Sequence, residues 1–95
     1  MVRDDLPLGI LAAQVVHAAG ETSTGELQTG TSAVVLTASQ DGLLELSARL
    51  DEVNVPHKLV RESDYPYSGQ LMALGVRPER RSKLKKYLSS LPLLR

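Results

Sequence analysis

An α/β fold is predicted by three features of the chain. Short apolar runs alternate with stretches of helical periodicity, the order that lays helices onto a sheet. One run, Ala33-Val34-Val35-Leu36-Thr37, is rich in β-branched residues and lacks polar alternation, as expected of a strand covered on both faces. The length, 95 residues with 42% hydrophobic and 23% charged, suits one domain with its own core and is too short for two. Aromatics make up 3%, all of them Tyr, so the core must be aliphatic, and a single-strand nucleic-acid reader built on base stacking is disfavoured. With no Cys, disulfide scaffolds, thiolate zinc sites and cysteine nucleophiles are excluded.

The elements follow in order. Met1 to Arg3 begins a short strand, and Asp4-Asp5-Leu6-Pro7 leads out of it as a loop. Gly9 to about Ala19 is helical and apolar on most sides. This segment imitates a signal peptide, but Asp4 and Asp5 stand where a basic cluster belongs, and Gln14 and His17 interrupt the apolar run. A buried helix of a cytoplasmic protein is the expectation. No stretch is long and apolar enough for a membrane span. After a Gly/Thr/Glu-rich connection over 20–32 and the strand at 33–37, Ser39 caps a helix whose apolar side carries Leu43, Leu44, Leu46 and Leu50 and which Asn54 closes. His57 to Val60 and Gln70 to Leu74 form two further strands, and Pro78 opens a basic helix reaching about Ser89. The apolar tail Leu91 to Arg95 docks on the body or extends a sheet edge.

A net charge of zero conceals an asymmetry. Residues 1 to 76 hold four Lys or Arg against ten Asp or Glu, a balance of −6; residues 77 to 95 hold seven against Glu79 alone, a balance of +6. Such a split points either to a surface for a polyanion or acidic partner, or to a solvated helix face.

Two places could hold chemistry. In the first helix Gln14 and His17 lie about 60° apart and Ile10 about 40° from Gln14, so all three share one stripe of an otherwise apolar helix. Polar side chains in such a setting need partners or a cleft, and histidine exchanges protons near neutral pH. A purely structural role, satisfying backbone groups of nearby loops, fits the same pattern. The second place is Arg61-Glu62-Ser63-Asp64-Tyr65-Pro66-Tyr67-Ser68-Gly69, a polar loop at the end of a strand, where α/β proteins place their sites. A carboxylate here can orient an imidazole; an ordinary turn on Pro66 and Gly69 is the plainer alternative. His57 has no metal-ligand spacing and is assigned no role. Gly-rich phosphate loops, HExxH and Gly-x-Ser-x-Gly are absent.

The order of these residues resembles a known family. Arg3-Asp4-Asp5-Leu6-Pro7-Leu8-Gly9 followed by Ala12-Ala13-Gln14-Val15-Val16-His17-Ala18 is similar to the "RxDL…GKxAAQxxHA" signature of the archaeal and eukaryotic-type, second-class peptidyl-tRNA hydrolases. Ala33-Val34-Val35-Leu36, the stretch Val55 to Glu62 and Met72-Ala73-Leu74-Gly75 match further family segments in the same order, so the resemblance spans almost the whole chain. It implies a three-layer α/β/α sandwich around a mixed four-stranded sheet, members that often form homodimers, and hydrolysis of the ester between a peptide and the terminal ribose of tRNA without metal or cofactor.

By position, Gln14 and His17 take the places of the signature polar groups, Glu62 that of the family's Asp, and Ser68 that of a loop Thr. The reading assigns catalysis to His17, Gln14 and Glu62. It assigns substrate binding to Ser68 and Arg61 and, through tRNA phosphates, to Arg80, Arg81, Lys83, Lys85 and Lys86. The chain departs from the pattern in three ways: the family Lys falls on Ile10, Asp becomes Glu62, and the loop after Glu62 is shorter. A non-catalytic RNA- or protein-binding module on the same scaffold is the rival reading.

Overall fold

The protein, seen here in a computed structural model, is described over residues 1–23, 25–27 and 29–94. Arg95 of the basic segment, and Thr24 and Gln28 of the connection after the first helix, lie outside the described residues. The elements are β1 (Val2–Arg3), α1 (Leu8–Thr22), β2 (Thr37–Ala38), α2 (Gln40–Glu52), β3 (His57–Arg61), β4 (Leu71–Val76) and α3 (Arg81–Leu88). The sheet order is β2-β1-β4-β3. β1 runs parallel to β2, whereas β4 is antiparallel to both of its neighbours. This is the mixed four-stranded sheet of the predicted α/β class.

β4 organises the core because it is buried along almost its full length. Val60 pairs with Ala73 but Arg61 with Leu71, so Met72 is an extra residue in the ladder. Such a bulge turns two successive side chains to one side. Met72 and Ala73 accordingly join an apolar cluster with Leu11 and Ala18 of α1, while Leu71 and Leu74 join the cluster of Leu43, Leu46 and Leu50 from α2. Leu84, Tyr87 and Leu88 of α3 pack against this second cluster. α3 touches α2 and has no contact with α1. At Gly75 the first helix comes so close that an added Cβ would stand 2.5 Å from the Ala18 carbonyl oxygen.

α2 begins as its sequence predicts, with the Ser39 Oγ accepting the Gly42 N–H at 3.1 Å. Three expectations change. α1 forms, but it is not buried all round: Leu11, Gln14 and Ala18 are its buried residues, while Leu8 is 80% and Val16 70% exposed. It lies against the sheet on one side, and the described parts of 23–35 form no helix or strand over its outer side.

The strand expected at 33–37 is reduced to Thr37–Ala38, since β1 offers only Val2 and Arg3 as parallel partners. Val34 is exposed, and Leu36 bridges to Leu93. The tail thereby extends this sheet edge, with Thr37 donating its N–H to the Pro92 oxygen at 2.8 Å and Leu94 to the Val35 oxygen at 3.0 Å. The basic helix starts at Arg81 rather than Pro78, with Arg80 as its N-cap.

Candidate active site

α1 carries Gln14 on its sheet-facing side, and the end of β3 delivers Glu62 to meet it. The Gln14 Nε2 donates to Glu62 Oε2 at 3.0 Å. Gln14 is 3% exposed, so its amide reaches the carboxylate rather than solvent. The other carboxylate oxygen, Oε1, accepts the backbone N–H groups of Ser63 at 2.9 Å and Asp64 at 3.2 Å. Those N–H groups, Asp64 first, hold the Glu62 carboxyl below the usual carboxylate range, helped by Gln14 and by the nearby charge of His17. His17 follows Gln14 by less than one turn and is exposed, and no hydrogen bond ties it to Glu62 among the described residues. Ile10 is half-buried against the α1-side cluster.

The loop that presents Glu62 is closed by its own backbone: Glu62 donates to the Gln70 oxygen at 3.0 Å and Gly69 to the Glu62 oxygen at 2.7 Å. Gly69 sits at φ +79°, a conformation that favours glycine. Ser68 and Arg61 belong to this loop, but their polar atoms point back into it. Ser68 Oγ donates to the Ser63 oxygen at 3.4 Å and Arg61 Nη1 to the Gly69 oxygen at 3.1 Å.

The basic residues are elsewhere. Arg80 caps α3, and Arg81, Lys83, Lys85 and Lys86 lie on it, all exposed, on the α2 side of the sheet and away from Gln14 and Glu62. Lys83 pairs with Glu79 at 3.3 Å. Arg49 of α2 and Lys86 flank the Tyr87 ring at 5.5 and 5.4 Å from its centroid, which extends the positive surface onto α2.

Two features escaped the sequence. Tyr67 of the polar loop is half-buried against the α1-side cluster. Arg3 is 7% exposed and holds Asp5 bidentately, Nε to Oδ1 at 2.8 Å and Nη2 to Oδ2 at 2.7 Å. Its Nη1 donates to Gln40 Oε1 at 3.1 Å and Gln70 Oε1 at 2.8 Å, so it ties the end of β1 to the start of α2 and the start of β4. The signal was a charged residue within a predicted strand, two positions before a carboxylate. Among the described residues, no cluster of three or more His, Cys, Asp or Glu side chains is placed to hold a metal ion.

The fold is that of a small α/β protein in which the first helix and the loop after β3 are joined by this amide–carboxylate pair, the candidate site. The chain belongs to the peptidyl-tRNA hydrolase PTH2 family, whose model matches residues 1–94. The family is one of peptidyl-tRNA hydrolases, for which peptidyl-tRNA is the fitting substrate. A search of curated proteins found no match. No helix of the described residues is long and apolar enough to cross a membrane.

Proposed function

We propose that this protein cleaves the ester linking a peptide to the terminal ribose of tRNA, in the cytoplasm and without a metal ion, releasing free tRNA and peptide. The observation that carries the reading is the Gln14–Glu62 pair at 3.0 Å beside the exposed His17, in a chain matched to this hydrolase family over residues 1–94. Water attacks the ester carbonyl carbon, His17 takes the water's proton, and the same proton passes to the ribose oxygen as the carbon–oxygen bond breaks. Glu62 favours the imidazolium that forms in between. Gln14 is a positioning residue: its burial keeps it off the substrate, and its N–H fixes the Glu62 carboxylate. An ester needs less help with its leaving group than an amide, because an alkoxide is a far better leaving group than an amide anion, so an imidazole without a nucleophile suffices for this chemistry.

α3 supplies the charge for tRNA. Because it lies on the α2 side, the phosphates it holds are remote from the ester being cut. This attraction is sequence-independent and salt-sensitive.

The rival, a non-catalytic RNA- or protein-binding module, is favoured by one observation: Ile10 is packed among apolar side chains where the family places a cation. Hydrolysis of a model peptidyl-tRNA separates the two. We expect turnover that survives EDTA and falls by about two orders of magnitude in His17→Ala. Wild-type rates in that variant remove His17 from the mechanism, and no turnover by the wild-type chain leaves the binding module.

A further inference from the structure

β3 is an outer strand of the sheet, and its side chains alternate between the two faces. His57 and Leu59 face α2: the His57 ring meets the Ser47 hydroxyl at 2.8 Å, and Leu59 packs on the α2-side cluster. Lys58 and Val60 therefore face α1, and Val60 is buried in the cluster of Leu11 and Ala18. Lys58 is paired across the ladder with Gly75, the residue on which α1 rests through the Ala18 carbonyl and the Thr22 methyl. Residues directly opposite in such a ladder share a face. An exposed cation thus stands on the α1 side of the sheet, beside the second half of that helix.

The same contacts place His17. Gly75 of β4 lies under Ala18 and Thr22, while Glu62, just past β3, meets Gln14, so the Gln14 flank of α1 is turned towards β3. His17 lies about 60° further round that flank and one residue before Ala18. Along the seam between α1 and β3, Glu62 is level with Gln14 and Lys58 with Ala18 and Thr22, so the two charges stand on either side of His17. Roughly 13 Å of extended chain separates them, room for one ribose and its phosphate. Glu21, one turn beyond His17, is the other charged group on this flank of α1. Lys58 makes no ion pair with it or with any other described residue.

A carboxylate on one side of an imidazole and an unpaired ammonium on the other suit an ester with an anion close to its alcohol part. The terminal ribose of tRNA carries such an anion, the 5′ phosphodiester on the same sugar. We infer that Lys58 holds this last phosphodiester of the acceptor strand and so fixes the terminal ribose at His17. This rests on the hydrolase reading and adds to it a positioning residue on the α1 side, apart from the cations of α3. A lysine on a bare edge strand also keeps other strands from pairing with it, and the test separates the two roles.

The substrates are the acetyl-dialanyl esters of adenosine and of adenosine 5′-methylphosphate, which carries the diester without a second base. The full chain should cleave the phosphate-bearing ester with kcat/KM about fivefold or more higher at low salt, an advantage that fades as salt rises. Lys58→Ala should erase the advantage by raising KM for that ester, and Lys58→Arg should keep it. In NMR titrations, adenosine 5′-methylphosphate should shift the Lys58 and His17 side-chain resonances saturably, and Lys58→Ala should weaken its binding by the same factor.

An advantage that survives Lys58→Ala overturns the inference, as does binding of adenosine 5′-methylphosphate that is indifferent to this change. So does self-association of the Lys58→Ala chain with the advantage intact, which would leave Lys58 as a guard of the sheet edge. Binding at Lys58 in a chain that cleaves neither ester sinks the hydrolase reading alone. Cleavage of both esters with equal kcat/KM sinks the Lys58 site alone.

Discussion

α1 and α3 are opposites, and they sit on opposite sides of the sheet. α1 has fifteen residues, with no Lys, Arg or Asp and a single Glu, packs closely on β4 and carries Gln14 to Glu62. α3 has eight residues, five of them Lys, Arg or Tyr on a surface with no buried side chain, and it leans on α2. Burial separates them: on α1 the Gln14 amide is buried and its hydrogen bond to Glu62 is fixed, whereas the cations of α3 are all exposed to solvent. In this protein position and charge are therefore separable properties, and each helix can be damaged without the other.

The largest effect should come from the seat of α1. A methyl at position 75 would meet the Ala18 carbonyl at 2.5 Å and the Thr22 methyl at 2.9 Å, and the first of these is backbone that cannot rotate away. Gly75→Ala should cost about 1–3 kcal/mol of stability, the usual penalty for overpacking, read as a lower denaturant midpoint. In the fraction that folds, hydrolysis should drop because α1 and Gln14 are pushed off Glu62. RNA affinity at matched folded concentration should stay, since α3 does not touch α1. A parallel loss of RNA affinity would show that the two helices are coupled after all.

The converse break is in α3. Lys85 and Lys86 are exposed and make no ion pair among the described residues. Lys85→Glu with Lys86→Glu should lower tRNA affinity by about tenfold at low salt and reduce the log–log salt slope by up to about 1.8, for two duplex phosphates no longer neutralised. Turnover at saturating substrate and the melting temperature should be unchanged, so KM rises and kcat does not. An unaltered slope would mean that this face only keeps the protein soluble.

The same contrast explains what could be read from the sequence. Gln14 and Glu62 were each legible, one as a polar residue on an apolar helix and the other as a carboxylate after a strand, but their pairing was not: the carboxylate was expected to orient His17, and it is the Gln14 amide that reaches it. The charge of α3 was legible by counting, but its side of the sheet was not, since that depends on the packing of Leu84, Tyr87 and Leu88 against α2. The exposed outer side of α1 was misread for a related reason: apolar periodicity reports what a helix can bury, not what lies beside it. Ala33-Val34-Val35 failed as a strand because its length was judged alone, while β1 supplies only two residues to pair with. The bulge at Met72, which sends two neighbours to one cluster, leaves no mark in a run as uniformly apolar as Leu71 to Leu74.

The smallest effect, and the one that sharpens the comparison most, concerns Ile10. It lies on the flank of α1 shared by Gln14 and His17, where the resemblance to the family signature puts a Lys, and the cations of α3 lie on the other side of the sheet. An ammonium at this point would stabilise negative charge developing on the ester oxygen. The benefit of Ile10→Lys should be roughly three- to tenfold in turnover, below the 10²–10³ of an optimally placed donor, because nothing has been built to hold the new side chain. tRNA affinity should not improve in step, since the gain belongs to the transition state. Ile10 is only half-buried, so the lysine stem can keep the apolar contact while its head reaches solvent, and the melting temperature should fall modestly. A folded variant with unchanged turnover would show that charge on the α1 side is not what limits the rate, and would shift attention to Glu62 and to how firmly its loop holds it.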